Sequence, residues 1–505
     1  MKRIILFVIL VTLTVFGSLY AQQQGNTIQL KHGAYRKGVR TDSEMQRWRE
    51  HGLGQFIHWG VYAIPGGQWN GKTSTYAAEW FRSSGLISKE EYDNLYKQFN
   101  PLNFDAKAWA KQARHMGARY MIFTTKHHDG FCLWPSKYTD YTIANTPCKK
   151  DIVGEIVDAY TAEGIDVHLY FSIIDWSHPG YQVGAPKDEF LRNNDWENYR
   201  PFKTESDSIR YQSFKEFTRN QLIELLTDYP KIKGLWFDGS WDGAWMKEAE
   251  WVDNLGMELR DMHPGLIIGS RFRADENGKR HVDSNGDLID DYDQRFERNL
   301  PKSLEEVGGN DWDCVMTIPE NQWGYHRDWS LSYVKTPYDL IEMMMQANAL
   351  NGNLVVNFGP DDKGNIRQEE TDIAREIGNW MRVNSEAVYG VHNSTLEKQD
   401  WGYITQRDED IYLTVFNKPM NNLVRVKLPR AKNNKEDVTV IDKAVFLING
   451  EPARIKEGLR DKAGYEYYDI VIPENLQKQT MPFVIKINLK EISRGDRAAY
   501  QQALT

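Results

Sequence analysis

The stretch Gly234-Leu-Trp-Phe-Asp238-Gly-Ser240 decides how the chain is read. Three apolar residues run straight into a carboxylate, and a glycine follows at once. Such a run reads as a buried strand that carries an acid to the rim of a sheet, against aromatic walls, with a tight turn beyond. In α/β barrels the carboxyl ends of the strands hold the chemical groups. The alternative is that Asp238 only caps the following turn.

Moving outward, the chain alternates between strand-like and helix-like segments. Phe56-Ile-His58-Trp-Gly60 reads as a short strand ending in polar chemistry. Asp105 is a good N-cap for a helix that runs to His115 and closes at Gly117. Tyr120 to Thr125 is the next strand, followed by Lys126-His-His-Asp-Gly130. Ile152, Val153, Ile156, Val157 and Tyr160 mark one helix face, stopped at Gly164. The strand Val167 to Ser172 and a helix carrying Phe214, Phe217, Leu222, Leu225 and Leu226 lead back to the opening stretch. Leu266 to Arg271 is a further strand, with strand-like pieces at 291–297 and 313–318. Thr336-Pro337 starts a helix by N-cap and N1 proline, and Asn353 to Gly359 has the unbroken apolar character of a buried parallel strand.

About eight such alternations predict a (β/α)8 barrel. The competing doubly wound sheet lacks a GxGxxG after its first strand. From Trp401 onward short strands are separated by turns, which predicts an appended all-β sandwich. The expected organisation is a signal peptide at 1–21, a barrel at 22–394, a β-sandwich at 395–495 and a C-terminal tail at 496–505. Lys2, Arg3, the apolar run Ile4 to Phe16 and the small-residue exit at Gly17 to Ala21 make the leader a secretory one. The run is short for a transmembrane span, so the expected product is exported, periplasmic or secreted.

The net charge of −9 argues against nucleic acid or anionic membrane as a partner. Three cysteines are too few for a disulfide framework, and none forms a CxxC pair for zinc. The 17 Trp and 26 Tyr supply flat faces with polar tips, which suit stacking against sugar rings.

Polar groups collect at the predicted strand ends: His58, His127, His128, Asp129, Tyr170, Asp238, Arg271 and Glu297. One reading of the histidines is a metal site. Adjacent His127 and His128 cannot both point inward from a regular strand, so no metal is expected. The other reading is a ring of groups that bind hydroxyls. Asp283-Ser-Asn285-Gly-Asp287 has the first, third and fifth positions of a calcium loop. Leu288 and Gln294 stand where that loop needs glycine and glutamate, so a surface turn is expected instead.

His58-Trp-Gly60, Glu79-Trp80-Phe81, Lys126-His-His-Asp-Gly-Phe131, Tyr170-Phe-Ser172, Trp236-Phe-Asp-Gly239 and Trp323-Gly-Tyr325 occur in one order. Together they resemble the α-L-fucosidases of glycoside hydrolase family 29, over roughly residues 30 to 390. The resemblance implies a retaining exo-glycosidase that removes terminal α-L-fucose from fucosylated glycans without a cofactor. Retention needs two carboxyl groups about 5 Å apart. Asp238 matches the family's nucleophile. For the acid/base, Glu297 matches the segment that often supplies it, while Asp313 stands where many relatives carry Trp-Glu. Glu297 is the expected acid/base. The implied sugar ring is His58, Glu79, His127, His128, Tyr170, Trp236 and Arg271, with Trp323 as the apolar wall for the fucose methyl.

Overall fold

Eight strands form one parallel sheet: β1 (Leu53–Ile57), β2 (Tyr120–Lys126), β3 (Asp166–Ser172), β4 (Gly234–Asp238), β5 (Ile267–Ile268), β6 (Asp293–Glu297), β7 (Trp312–Thr317) and β8 (Gly352–Phe358). The computed structural model describes residues 40–181, 205–240, 244–272, 290–330, 332–431 and 437–504. The expected leader at 1–21 and the calcium-like turn at 283–287 lie outside them. The strand order is β5-β4-β3-β2-β1-β8-β7-β6. A parallel bridge between Gly269 and Tyr292 joins its two ends. The Ser270 N–H donates to the Tyr292 carbonyl at 3.0 Å and the Asp291 N–H to the Ile268 carbonyl at 2.9 Å. The sheet is therefore a closed barrel.

Closure at this seam is partly a side-chain matter. Asp291 Oδ2 accepts the Ile268 N–H at 2.8 Å and is held by Arg40 at 2.8 Å and Arg260 at 2.9 Å. The sequence predicts a strand over Leu266 to Arg271, yet β5 is only two residues long. The chain turns away after Ile268, and the Phe272 N–H donates back to the Gly269 carbonyl at 3.2 Å.

Period-two alternation sorts the strand residues into two cores. Phe56, Ile122, Tyr170, Trp236 and Val315 fill the barrel interior. Ile57, Phe123, Phe171, Phe237 and Met316 face the surrounding helices. Those helices are α1 (Ala106–Met116), α2 (Ile152–Ala162), α3 (Glu205–Asp228), α4 (Ala249–Met262), α5 (Leu304–Val307), α6 (Pro337–Ala349) and α7 (Gln368–Asn384). Helix α1 has the expected cap, with Asp105 accepting the Ala108 N–H, and the expected stop, at Gly117 with φ 98°. Only a residue without a Cβ adopts that left-handed turn at little cost. Thr336 caps α6 in a capping box, with Pro337 at its first turn.

The C-terminal part is antiparallel. Strands β9 (His392–Asn393), β10 (Gly402–Arg407), β11 (Asp410–Val415), β13 (Asp437–Phe446) and β16 (Phe483–Ser493) form one sheet, in the order β9-β10-β11-β16-β13. Strands β12 (Leu423–Lys427), β14 (Ile455–Arg460) and β15 (Glu466–Val471) form a second sheet. Leu413, Val440 and Ile485 of the first pack with Val424, Val426 and Ile470 of the second, which makes the pair a sandwich. Trp380 Nε1 donates to the Pro482 carbonyl at 2.8 Å and ties α7 to it. The segment expected as a tail instead carries a helix, α8 (Arg497–Ala503). Arg497 pairs with buried Glu466 at 2.9 Å, and Tyr500 meets the Tyr468 ring. No described helix is long and apolar enough to cross a membrane.

The seam yields a prediction. A Cβ on Gly269 would stand 2.1 Å from Gln294 Cδ, and Gln294 Oε1 accepts the Arg271 N–H at 2.9 Å. Overpacking of this kind costs about 1–3 kcal/mol. Gly269→Ala should therefore lower the denaturant midpoint and also weaken whatever Arg271 does; an unchanged midpoint would contradict this account of the seam.

Candidate active site

The pleat of β4 puts Asp238 on the same inward face as Trp236, one step nearer the barrel mouth. Asp238 is 9 % exposed, and both of its carboxylate oxygens accept from protein donors. Arg271 Nη1 donates to Oδ1 at 3.1 Å, and Tyr170 Oη donates to Oδ2 at 2.9 Å. His128 Nε2 lies 3.7 Å from the same Oδ2. Arg271 stands just past β5, and its Nη2 donates to Glu297 Oε2 at 2.6 Å. Its Nε donates to the Gln294 carbonyl at 3.1 Å, and its guanidinium lies over the Trp236 ring at 5.1 Å. One guanidinium thus holds two carboxylates, each on its own nitrogen.

These groups line a cavity of about 330 Å³, at the small end of ligand sites. His58, Glu79, His127, His128 and Trp323 line it as well. His58 Nδ1 is 2.6 Å from Asn357 Oδ1, and its ring lies 5.0 Å from that of Trp323. His128 Nδ1 is 2.6 Å from Ser172 Oγ. His127 stacks on Tyr170 at 5.4 Å, and Tyr170 stacks on Trp236 at 5.3 Å. Burial pushes His58 and His128 down to about 3, and His127 well below its ordinary value. All three imidazoles are neutral at neutral pH. Glu79 Oε2 accepts the Gly324 N–H at 3.0 Å, and burial lifts this carboxyl to about 7.

Both His127 and His128 reach the cavity, although adjacent residues on a strand point to opposite faces. Strand β2 has a register shift at Thr124/Lys126 and ends at Lys126, so the alternation no longer applies. Lys126 anchors this corner through Asp175 at 3.0 Å. Asp129 departs from expectation. It points away from the rim, accepting from Tyr92 Oη at 2.8 Å and from the Phe131 N–H at 3.0 Å. Tyr170 touches Asp238 from beneath and does not itself line the cavity. Asp313 sits one pleat step deeper in β7 than cavity-lining Val315, where Tyr120 Oη donates to it at 3.4 Å. Glu297 does not pair with Arg295, which holds Asp293 instead, while Arg298 Nε lies 3.9 Å from Glu297 Oε1.

Several lining residues went unread in the sequence: Phe56, Thr75, Tyr76, Ala77, Trp80, Arg298, Val315 and Asn321. Period-two spacing from His58 could have found Phe56, and Trp80 lies inside a quoted motif. Arg298 and Asn321 take left-handed backbone angles, φ 56° and 62°, and an arginine carries no sequence signal for that.

His127, His128 and Asp238 offer ligand atoms within 4.8 Å of one another. A cation there would share Asp238 with the Arg271 guanidinium and be repelled by it. The donor set suits hydroxyl groups better.

A parallel barrel that presents two arginine-bridged carboxylates at the base of a small cavity walled by aromatic faces defines a glycoside hydrolase. Comparison with known proteins narrows the class. The α-L-fucosidase family model matches residues 21–386. A glycoside hydrolase family 29 α-L-fucosidase from Bacteroides thetaiotaomicron, solved as a trapped covalent intermediate with 2-fluoro-fucosyl fluoride, is 46 % identical. The match covers 92 % of this chain and 100 % of that one, at a TM-score of 0.82. α-L-Fucosidase isoenzyme 1 of Paenibacillus thiaminolyticus is 30 % identical, covering 89 % and 99 %, at a TM-score of 0.71. The human plasma α-L-fucosidase is 27 % identical over 72 % of this chain and 74 % of its own. The chain belongs to the α-L-fucosidase family.

The placement of Asp313 generates a pH prediction. Burial lifts its carboxyl from 3.8 in the unfolded chain to about 8. Below the unfolded value both states carry the proton and nothing is lost. As pH rises from about 4 to about 8, the unfolded chain ionises while the native one does not, so this group's contribution to stability falls. Asp313→Asn does not titrate. Its melting temperature relative to the parent should rise steadily over that interval; a constant difference would show that Asp313 is ionised in the fold.

Proposed function

We propose that Asp238 is the nucleophile and Glu297 the acid/base of this α-L-fucosidase, a retaining enzyme that releases terminal α-L-fucose through a covalent glycosyl-enzyme. The observation that carries the assignment is the Arg271 guanidinium, which holds these two carboxylates at the cavity base and, among the described residues, no third. In the first step an Asp238 oxygen bonds to the anomeric carbon. The bond from that carbon to the leaving oxygen breaks, and Glu297 gives that oxygen its proton. In the second step Glu297 takes a proton from water, whose oxygen attacks the anomeric carbon. The ester to Asp238 breaks, and fucose leaves with its original configuration.

Proton placement gives Arg271 an active part. In the free protein Arg271 keeps Glu297 below the usual carboxylate range, whereas burial raises Asp238 despite the same guanidinium. The reaction needs the proton on Glu297. Glu297 is the more exposed of the two, with 30 % of its side chain accessible against 12 % for Asp238. A sugar seated over Asp238 draws Glu297 toward the glycosidic oxygen and off Arg271, which leaves the full positive charge to Asp238. That shift favours the protonated form of Glu297 and the ionised form of Asp238, as the first step requires.

His58, Glu79, His127, His128, Tyr170, Trp236 and Arg271 form the sugar-binding ring in this reading. Neutral imidazoles and a carboxyl near neutrality suit hydroxyl groups, which both donate and accept. Trp323 beside Phe56, 6.2 Å between ring centres, supplies an apolar corner for the methyl. The basic start and apolar run of the leader support export of the mature enzyme.

Azide separates the two carboxylates. Glu297→Ala should lose about 10²–10⁴-fold in turnover of a natural fucoside. On an aryl fucoside, whose leaving group needs no proton, azide should raise turnover of this variant by attacking the glycosyl-enzyme in place of water, giving fucosyl azide of retained configuration. Asp238→Ala should be inactive, and any azide product should be inverted. Asp313→Asn should keep its activity. Azide rescue of an Asp313 variant, with none for Glu297→Ala, would reverse the assignment of the acid.

A further inference from the structure

Among the described residues one large hydrophobic side chain is both exposed and part of the cavity lining: Tyr76, 52 % accessible. Half of its surface is open to solvent beside a sugar-sized cavity, and an exposed aromatic face there suits a ligand. Its neighbour Trp80 also lines the cavity and meets the Tyr76 ring at 6.1 Å and an interplanar angle of 75°. Trp80 is itself wedged between His128, at 4.9 Å, and Trp176, at 5.3 Å. The two aromatics make a wall that begins at the catalytic floor and ends in solvent.

This wall is held in place before any ligand arrives. Ser74 Oγ accepts the Tyr76 N–H at 3.1 Å, and His326 Nε2 lies 3.0 Å from the Ser74 carbonyl. The Arg327 N–H donates to the Gly66 carbonyl at 2.9 Å, and Arg327 Nη2 to the Ile64 carbonyl at 2.8 Å. Gly67 leaves room for the His326 ring, since a Cβ there would stand 2.1 Å from Nε2. The loop after β1 is thus latched to the loop after β7, which carries Asn321 and Trp323 on the cavity. A flat face fixed in this way pays little ordering entropy on binding.

We infer that Tyr76 and Trp80 form the leaving-group subsite and take a pyranose ring, the sugar to which fucose is linked, by stacking on Tyr76. The inference rests on the retaining fucosidase reading above. A pyranose presents a face of C–H groups to the ring, and its hydroxyls reach outward to Asn321 and Arg298 at the same rim. An acyclic or very small leaving group has no such face and gains nothing from the wall.

The test compares two substrates on the full-length enzyme. α-L-Fucosyl fluoride has no leaving-group ring; a fucosylated lactose trisaccharide has one. Tyr76→Ala should lower kcat/KM for the trisaccharide by about 3- to 10-fold, the range expected for one aromatic contact, and leave fluoride hydrolysis within about twofold. Tyr76→Phe, which keeps the face, should behave as the parent. Equal losses on both substrates, or no loss on either, would overturn the subsite. If the parent hydrolyses neither substrate, the fucosidase reading itself falls, and with it this inference.

Discussion

A single guanidinium between two carboxylates is the constraint from which the site follows. Arg271 is buried and permanently charged, so it needs compensating anions. It obtains them from Asp238 and Glu297, which come from different strands on either side of the barrel seam. The arrangement requires β4, β5 and β6 to be neighbours, hence a closed barrel. It also requires β5 to end early, because Arg271 must leave the sheet to reach both partners. The shortness of β5 and the reliance of the seam on Asp291 are the structural counterpart of that demand. Gln294 completes the clamp, receiving the backbone N–H of Arg271 and the guanidinium Nε on two different oxygens.

The legibility of this arrangement in the sequence followed the regularity of the backbone. Where strands are regular, period-two spacing is enough to put Trp236 with Asp238 and Phe56 with His58 on the inner face, although Phe56 was not read from it, and helix caps such as Asp105, Thr336 and Gly117 stand where local chemistry puts them. The short motifs, each tied to one strand end, brought nine of the ten expected site residues to the cavity, and the tenth, Tyr170, to Asp238 from below. What could not be read lies where regularity fails. His127 and His128 share the cavity because β2 stops. Asp129, on the same short run, turns outward to a tyrosine that no local pattern links to it. Tyr76, Arg298 and Asn321 reach the rim through loops whose shape is set by latches from distant parts of the chain. The final helix, α8, is held by an ion pair to a strand about thirty residues earlier, a contact that no periodicity announces.

The same logic separates Glu297 from Asp313, which sequence alone left as rivals. Both are acids near the ends of adjacent strands, β6 and β7. Glu297 closes its strand and lies at the mouth. Asp313 opens its strand and lies deep among Tyr120 and Tyr292, where burial keeps its proton. In a parallel barrel, distance along the strand is depth: Glu297 is level with Val315, and the two residues down to Asp313 separate chemistry from packing.

Burial also explains why the cavity floor is electrically quiet apart from the clamp. The histidines lose their protons and Glu79 keeps one longer than usual, for the same reason: the low-dielectric interior penalises the charged form of each. The linked stabilities run in opposite directions. The contribution of His58 and His128 is present above their ordinary value and lost as pH falls toward about 3. That of Glu79 is present below its ordinary value and lost as pH rises toward about 7. Between these limits Asp238, Arg271 and Glu297 hold the charge at the base of the cavity, with little competing field from the ring. Moving Arg271 from one carboxylate to the other acts strongly in this low-dielectric floor, with Arg298, 3.9 Å from Glu297, adding to the field on that carboxylate. A charged imidazole beside Asp238 would weaken that preference by holding the carboxylate itself. The neutrality of the sugar ring and the control of the proton by the clamp are one design.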